Sequence, residues 1–411
     1  RFRKIIEKET EELFVKFLEP CLKQLKNSKF IVAQVFLITF VVALCKLLEA
    51  YIDRKEACIA KDPKKNTKNE DDPYIGYDYI FMFCTIWACG AILTEKDGTD
   101  FKRTFSEWFR AEFKDYKFPN KGMVFDYFIF FDPETKTPRL EEWTKKIPEI
   151  EYKPSENIKY VTVPTSETIS VSEIMERLLE VNHPSLLIGM AGCGKTQLCK
   201  GMLESTRRKA EIQKSSFSYV IVNFNYYSDT YSMQNVLIQN TEKFSQRTFV
   251  PKGNPKMMAI FIDDINMQML DKCNTQNAIE LTRQFADYKH IYECSKMELM
   301  EFMNIQFIAS MNPTAGSFNI NPRLQRHFWI CSIPFPTDAS LINIYSFFLN
   351  GHFKPFSQAI TEFILNRSII TAILQVHQKV SARFKKSAIN FHYEFNIRHI
   401  TGVFQGVLMS T

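Results

Sequence analysis

Two kinds of apolar patterning divide the chain. From Ile5 to Lys26 the apolar residues Leu13, Phe14, Phe17, Leu18, Leu22 and Leu25 recur at helical intervals with charges between them. Phe30 to Cys45 follows without a charge, between Lys29 and Lys46, and helical spacing carries on to Tyr51. As a helix, Phe30 to Cys45 would reach roughly 24 Å, short of the ~30 Å hydrocarbon core of a bilayer. It therefore reads as a packed core helix, or a close pair of them, rather than a membrane span. Between Asp53 and Asp72 the composition turns to Lys, Asp, Asn and Pro, which predicts a solvated linker or loop. Tyr74 to Leu93 is apolar and helical, and holds Trp87. Asp100 to Tyr116 repeats Phe and Trp every three or four residues, an amphipathic helix whose aromatic stripe reads as core rather than a ligand box. Met123 to Phe131 predicts a strand or hairpin arm, and Pro133, Pro138, Pro148 and Pro154 punctuate a connector to the next unit.

The second kind of pattern begins after that connector. Tyr160 to Val163 predicts a short strand, and a helix runs from Thr165 to Val181 with Ser166 or Thr165 placed to cap it. Five unbroken apolar runs then recur at α/β spacing: Ser185–Ile188, Ser218–Phe224, Met257–Ile262, Ile305–Ser310 and Phe328–Ile333. Continuous rather than alternating hydrophobicity predicts parallel strands covered on both faces. Beyond Pro336 the pattern is helical again, over Asp338–Phe348, Gln358–Phe384 and Tyr393–Met409. No internal repeat or low-complexity tract interrupts it.

Composition narrows this picture only a little. A chain of 411 residues exceeds one ordinary core and predicts two or three domains. Its 45% apolar and 24% charged residues are those of a folded soluble protein, and the 37 Phe residues suggest thick cores between helices. A net charge of +6, with no Lys/Arg run interleaved with aromatics, does not mark a nucleic-acid binder. The ten cysteines show neither a C-x-x-C pair nor matching His spacing, so they read as reduced, mostly buried thiols rather than zinc ligands. Arg1 in place of an initiator Met leads to the expectation of a piece of something longer, and no signal peptide is visible.

Chemistry enters at Gly189-Met190-Ala191-Gly192-Cys193-Gly194-Lys195-Thr196, between the apolar run ending at Ile188 and the helical segment Gln197–Arg207. Strand, GxxxxGK[ST] loop and helix in that order are the context of a phosphate-binding loop. Its glycines let backbone N–H groups converge on an anion at the positive end of the following helix. Lys195 is placed to reach β- and γ-phosphates, and Thr196 to put its hydroxyl on Mg²⁺. The strand Ala259–Ile262 ends in Asp263 and Asp264; the first is placed to hold Mg²⁺ through water, the second to orient or deprotonate the attacking water. Asp264 is one methylene shorter than the glutamate usual there, and a miss of order 1 Å can cost ~10²-fold in rate, which points to slow hydrolysis. Asn312 closes another strand, where it could bond the γ-phosphate or the lytic water. Arg323 and Arg326 precede the last strand and suit a transition-state phosphate, although surface arginines are the ordinary alternative. Arg398 sits in an apolar-periodic helix, where a buried charge would need a partner such as a bound phosphate.

Together GMAGCGKT, FIDDIN, ASMNPTAGSFNINPRLQRHF and HYEFNIRHITGVFQGVL closely resemble the third AAA+ module of axonemal dynein heavy chains, the outer-arm type being nearest. EFKDYKFPNKGMVFDYF and VPTSETI resemble the segment joining the second module to the third. The resemblance implies an AAA+ P-loop NTPase fold, three-layer α/β/α with a parallel sheet, and helical small (lid) domains on both sides. Residues 1–150 would be the helical small domain of the preceding module plus a connector, 151–336 the large nucleotide-binding domain, and 337–411 a truncated helical lid. Gly189 to Thr196 would be Walker A, Asp263 with Asp264 Walker B, Asn312 sensor 1 and Arg398 sensor 2. Val163 and Pro164 would lie beside the adenine. Arg326, or else Arg323, would be a finger serving a neighbour's nucleotide. Three departures stand out: Cys193 where Thr is usual, Gln268 in place of a proline, and His399 where an acid is common.

The implied ligands are ATP or ADP with Mg²⁺. The implied partners are neighbouring AAA+ modules of one heavy chain and, indirectly, microtubules and dynein intermediate and light chains, with no nucleic acid and no membrane. The implied location is the cytoplasm and cytoskeleton, in the axoneme of a cilium or flagellum. Two functions remain open on these residues: a regulatory, slowly hydrolysing ATPase module, or a nucleotide-locked or empty structural segment of the ring. A DNA-remodelling or chaperone ATPase would call for a basic pore loop or nucleic-acid patch, and neither is seen.

Overall fold

The helical periodicity of the N-terminal third is met by helices in a computed structural model. It describes residues 11–27, 32–33, 35–60, 76–96, 98–131, 138–154, 157–158, 161–253, 255–313, 320–355 and 368–409. Phe14–Leu18 winds as a π-helical turn into α1 (Glu19–Asn27), followed by α2 (Leu37–Ala60) and α3 (Tyr77–Gly90). α3 is buried on every side from Ile80 to Gly90, as an apolar-all-round helix must be. A small hairpin, β1 (Glu95–Lys96) and β2 (Thr99–Asp100), leads into α4 (Phe101–Glu112), whose first N–H groups are capped by the Asp100 carboxylate. β3 (Tyr127–Phe131) and β4 (Pro138–Glu142) then form an antiparallel pair.

Both ends of α2 differ from the sequence expectation. α2 starts at Leu37, not Phe30, and runs through Ala60 into the stretch expected to be a linker. Lys, Glu and Ala favour helix whatever their polarity, so a shift in composition did not end it. The rest of that stretch, 61–72, lies outside the described residues.

The α/β unit begins at α5 (Ser166–Glu180), capped by the Thr165 hydroxyl on the Thr168 N–H. Five strands follow: β5 (Ser185–Ile188), β6 (Phe217–Asn223), β9 (Met257–Asp263), β12 (Ile305–Met311) and β13 (Trp329–Ser332). They form one parallel sheet in the order β13-β5-β12-β9-β6. Every residue of β5, β12 and β13 is buried, which requires cover on both faces. α6 (Lys195–Ile212) packs with α5, and α7 (Thr230–Gln239) with α8 (Asn277–Tyr288).

A second sheet was not foreseen. β7 (Thr241–Lys243), β8 (Thr248–Pro251), β10 (His290–Tyr292) and β11 (Leu299–Phe302) make four short strands in the order β10-β11-β8-β7. Conversely, the strand expected at Tyr160–Val163 is not formed: Val161 to Val163 are irregular, and residue 160 lies outside the described residues. Val161 and Val163 pack against a helical core instead of pairing.

That core belongs to the C-terminal unit, built from α10 (Asp338–Phe353), α11 (Ser368–Arg383) and α12 (Ile397–Met409), with the short helix α9 (Pro322–Gln325) lying earlier, before β13. Residues 356–367, part of the long helix expected there, lie outside the described residues. Tyr345 and Phe404 stack at 4.0 Å between ring centroids at its centre. Among the described residues no helix is long and apolar enough to cross a membrane.

Candidate functional site

A cavity of about 1230 Å³ opens at the carboxyl ends of the central strands. That is more than the ~300–1,000 Å³ a single organic ligand usually fills, so room is not limiting. In an open parallel sheet this edge is where ligands gather. Gly192, Cys193, Gly194, Lys195, Thr196, Val163, Asp263, Asp264, Asn312 and Arg398 all line it.

The loop from Gly189 to Gly194 turns from β5 into α6. Gly192 and Gly194 take φ of +75° and +95°, a left-handed backbone that side chains resist. A Cβ at Gly189 would lie 2.4 Å from the Ile333 carbonyl oxygen, so only glycine fits there. Ala191 lines the cavity, while the Met190 side chain points to solvent. Lys195 is 6% exposed. Its Nζ donates to the carbonyls of Gly189 and Met190, each at 2.8 Å, and lies 3.7 Å from Cys193 Sγ. Among the described residues no carboxylate comes within ion-pair distance of it. A buried ammonium satisfied only by carbonyls and a thiol sulfur invites an anion.

Asp263 closes β9. Thr196 Oγ1 donates to its Oδ2 at 2.7 Å, and Ser310 Oγ donates to its Oδ1. Asp264 leaves the strand at φ +53°, ψ +48°, opening a 3₁₀ turn over Ile265–Met267. That kink turns its carboxyl to the cavity. Burial first, and then the charge of Asp263, raise its pKa above the ordinary 3.8, while Lys195 and Arg398 pull it back. Asn312 is buried, and its carbonyl accepts from Asn266 Nδ2 at 2.9 Å.

Arg398 differs from expectation. It is exposed, not packed, because α12 is two-faced: Ile400 and Phe404 take the closed side and Arg398 the cavity side. Asn396 caps this helix, its Oδ1 accepting the Arg398 N–H at 3.0 Å while its own N–H goes to His399 Nδ1 at 3.2 Å. His399, a departure from the family pattern, thus completes a cap. Gln268, another, is buried, and its carbonyl accepts from Gln276 Nε2 at 3.0 Å.

Besides Gly189 and Met190 at the base of the loop, three sequence candidates stay outside the cavity lining. Pro164 is half-buried beside Val163 without lining it. Arg323 and Arg326 flank the amino end of β13, away from the cavity lining. Arg326 Nη2 lies 3.0 Å from Asp287 Oδ1, which His327 Nε2 also meets at 2.9 Å. Sequence reasoning overlooked Ser310 and Asn396. Ser310 was findable, since residues two apart on a strand share a face and Asn312 lies two further on.

Residues 150–336 match the family described as the P-loop containing dynein motor region, residues 10–145 the dynein heavy chain AAA lid domain, and residues 369–411 the AAA+ lid domain. The chain is 38% identical over 402 residues to the dynein alpha chain of the flagellar outer arm of Chlamydomonas reinhardtii. It is 38% identical over 401 residues to human dynein axonemal heavy chain 9, and 31% over 395 residues to the Chlamydomonas reinhardtii flagellar outer arm dynein beta chain. The first two alignments cover 97% of this chain and the third 96%. The chain spans about 8% of the length of each of these relatives.

Proposed function

Because the chain belongs to the axonemal dynein heavy-chain family, we propose that it is an ATP-binding AAA+ module of a ciliary or flagellar motor, a regulatory site that hydrolyses slowly. Within this proposal it is the third module of the ring. Residues 151–336 form its large domain, 337–411 its lid, and 1–150 the small domain and connector of the module before it. Its partners are the neighbouring modules and, at a distance, the microtubule and the intermediate and light chains of an axonemal motor.

Lys195 carries most of the weight. Its buried ammonium exchanges two loop carbonyls for phosphate oxygens when nucleotide arrives, and the glycines before it leave the backbone N–H groups clear. Thr196 and Asp263, already hydrogen-bonded across the loop, are the residues that would hold Mg²⁺, which supplies positive charge against the phosphates. Val163 borders the adenine end, with Pro164 behind it. Asp264 takes the proton of the attacking water, and its raised pKa suits a base. Its short side chain keeps the reaction slow. Asn312 bonds the γ-phosphate or that water, Arg398 closes the lid on the same phosphate, and Arg326 or Arg323 serves the adjacent module's nucleotide.

The test has two parts. Equilibrium ATP binding should fall at least 100-fold in Lys195→Ala. Single-turnover hydrolysis in the full heavy chain should rise by up to ~10²-fold in Asp264→Glu. A wild type that already matches the Glu variant sinks the slow-site idea. The short acid also favours a second reading, a nucleotide-locked or empty structural segment. Wild-type protein that binds without turnover, or fails to bind, would establish it.

A further inference from the structure

Ser310 sits at the crossing point of the candidate site without being one of its recognised motifs. It lies on β12, fully buried, in a strand hydrogen-bonded to β5 on one side and β9 on the other. Its hydroxyl has one proton, and that proton goes to Asp263 Oδ1. The oxygen faces the Asp264 N–H at 3.4 Å. Asp263 is itself only 8% exposed, and its other oxygen takes the Thr196 hydroxyl at 2.7 Å. One carboxylate oxygen is therefore fixed from behind by the sheet, and the other is turned toward the phosphate loop.

On the reading that this is a Mg·nucleotide site, we propose that Ser310 is its positioning residue: it locks the Asp263 carboxylate in the orientation that holds the metal, and it steadies the kinked backbone of Asp264. The rigidity of β12 makes this effective, because a hydroxyl on a strand paired on both sides cannot follow a carboxylate that rotates away. Removing it leaves Asp263 Oδ1 buried without a donor, and the side chain relieves this by turning. The same strand continues into Asn312, so a shift at the phosphate end of β12 reaches the Asp263 carboxylate through this hydroxyl as well as through the β9 ladder. Ser310 touches no substrate atom and acts only through the two acids.

Calorimetric titration with ADP, once with excess Mg²⁺ and once with EDTA, separates this role from a purely structural one. Ser310→Ala should weaken binding in Mg²⁺ by about 10- to 100-fold, the usual loss when a partner behind a metal ligand is removed. Binding in EDTA should stay within about twofold. Ser310→Thr, which keeps the hydroxyl, should restore the Mg²⁺ value. In an Asp263→Asn background, adding Ser310→Ala should change nothing more. Equal losses with and without Mg²⁺, an unchanged Mg²⁺ value, or a second additive loss in the Asp263→Asn background would each overturn the assignment. Wild-type protein that binds neither form removes the nucleotide site itself; wild-type binding in Mg²⁺ with a normal Ser310→Ala removes only this inference.

Discussion

The two helical units flanking the α/β unit are joined to it in opposite ways. The first shares its core. Buried residues run without a break from Phe17 and Leu44 through Trp87 and Trp143 to Leu186 and Trp329. Hydrogen bonds reinforce the seam: the Ser332 N–H reaches the Ala91 carbonyl at 2.7 Å, and Lys102 Nζ donates to the Ser332 carbonyl at 2.7 Å. That seam also covers β13, an edge strand whose free amides would otherwise invite pairing. The C-terminal unit keeps a separate cluster around Tyr345, Phe348 and Phe404. The connector residues Tyr152, Ile158, Val161 and Val163 pack into that cluster, and from α5 onward it meets the α/β unit through polar contacts such as Ser340 Oγ to Glu167 Oε2 at 3.0 Å, and through Asn396 against the phosphate loop. A fused core moves as one body, whereas a small separate core tied on by one connector and a few hydrogen bonds can open and close. On the proposed function, the unit carrying Arg398 is the one expected to move, as a lid over nucleotide would.

The largest break to that contrast is at the seam. Trp329 is fully buried, and its indole N–H donates to the Trp87 carbonyl at 3.0 Å. Trp329→Ala should cost about 3–5 kcal/mol, the usual range for deleting a large core ring. Hydrogen exchange should quicken together in Tyr77–Gly90 and Ser185–Ile188, which share one core. Loss of protection in only one of the two segments would mean that the units are independent after all.

Acid should act on the same seam, more gently. His183 is buried beside positive charges on both sides of it, Lys46 from α2 and His327 and Lys289 from the α/β unit. Burial first, then those charges, lower its pKa from 6.5 to about 4. The unfolded chain therefore takes up a proton that the folded chain refuses. Stability is complete above pH 6.5 and declines as pH falls toward 4, by about 3 kcal/mol in all. His183→Gln should flatten denaturant midpoints measured between pH 7 and pH 4.5. An equally steep decline in the variant would place the sensitivity elsewhere.

Much of this was legible in the sequence, for definable reasons. The five sheet strands could be read because each is a largely apolar run, buried in four of them and half-buried in β6, and the phosphate loop because glycine and lysine spacing is nearly free of other meanings. The four-stranded side sheet could not. Thr241–Lys243 and His290–Tyr292 are short and largely polar, and β8 pairs with β11 across more than one intervening element. Arg398 was misjudged because apolar periodicity tells which residues share a helix face, not whether the opposite face meets a core or a cavity. Ser310 was passed over because a serine within a buried run reads as a polar exception unless its spacing of two from Asn312 is used.

The smallest effect tests the separate body of the lid. Asn396 caps α12 through the Arg398 N–H, and its side chain abuts Gly192, where an added Cβ would come within 2.6 Å of Asn396 Cγ. Asn396→Ala removes the cap and should cost about 1 kcal/mol. Were the whole molecule one cooperative body, that loss would spread evenly. With its own core around Phe404, the C-terminal unit should absorb it alone. Exchange should then quicken about fivefold across Ile397–Met409 and stay unchanged in Tyr77–Gly90. A matching change in both segments would show that the lid is held as firmly as the first unit, and Arg398 would lose the freedom a closing lid requires.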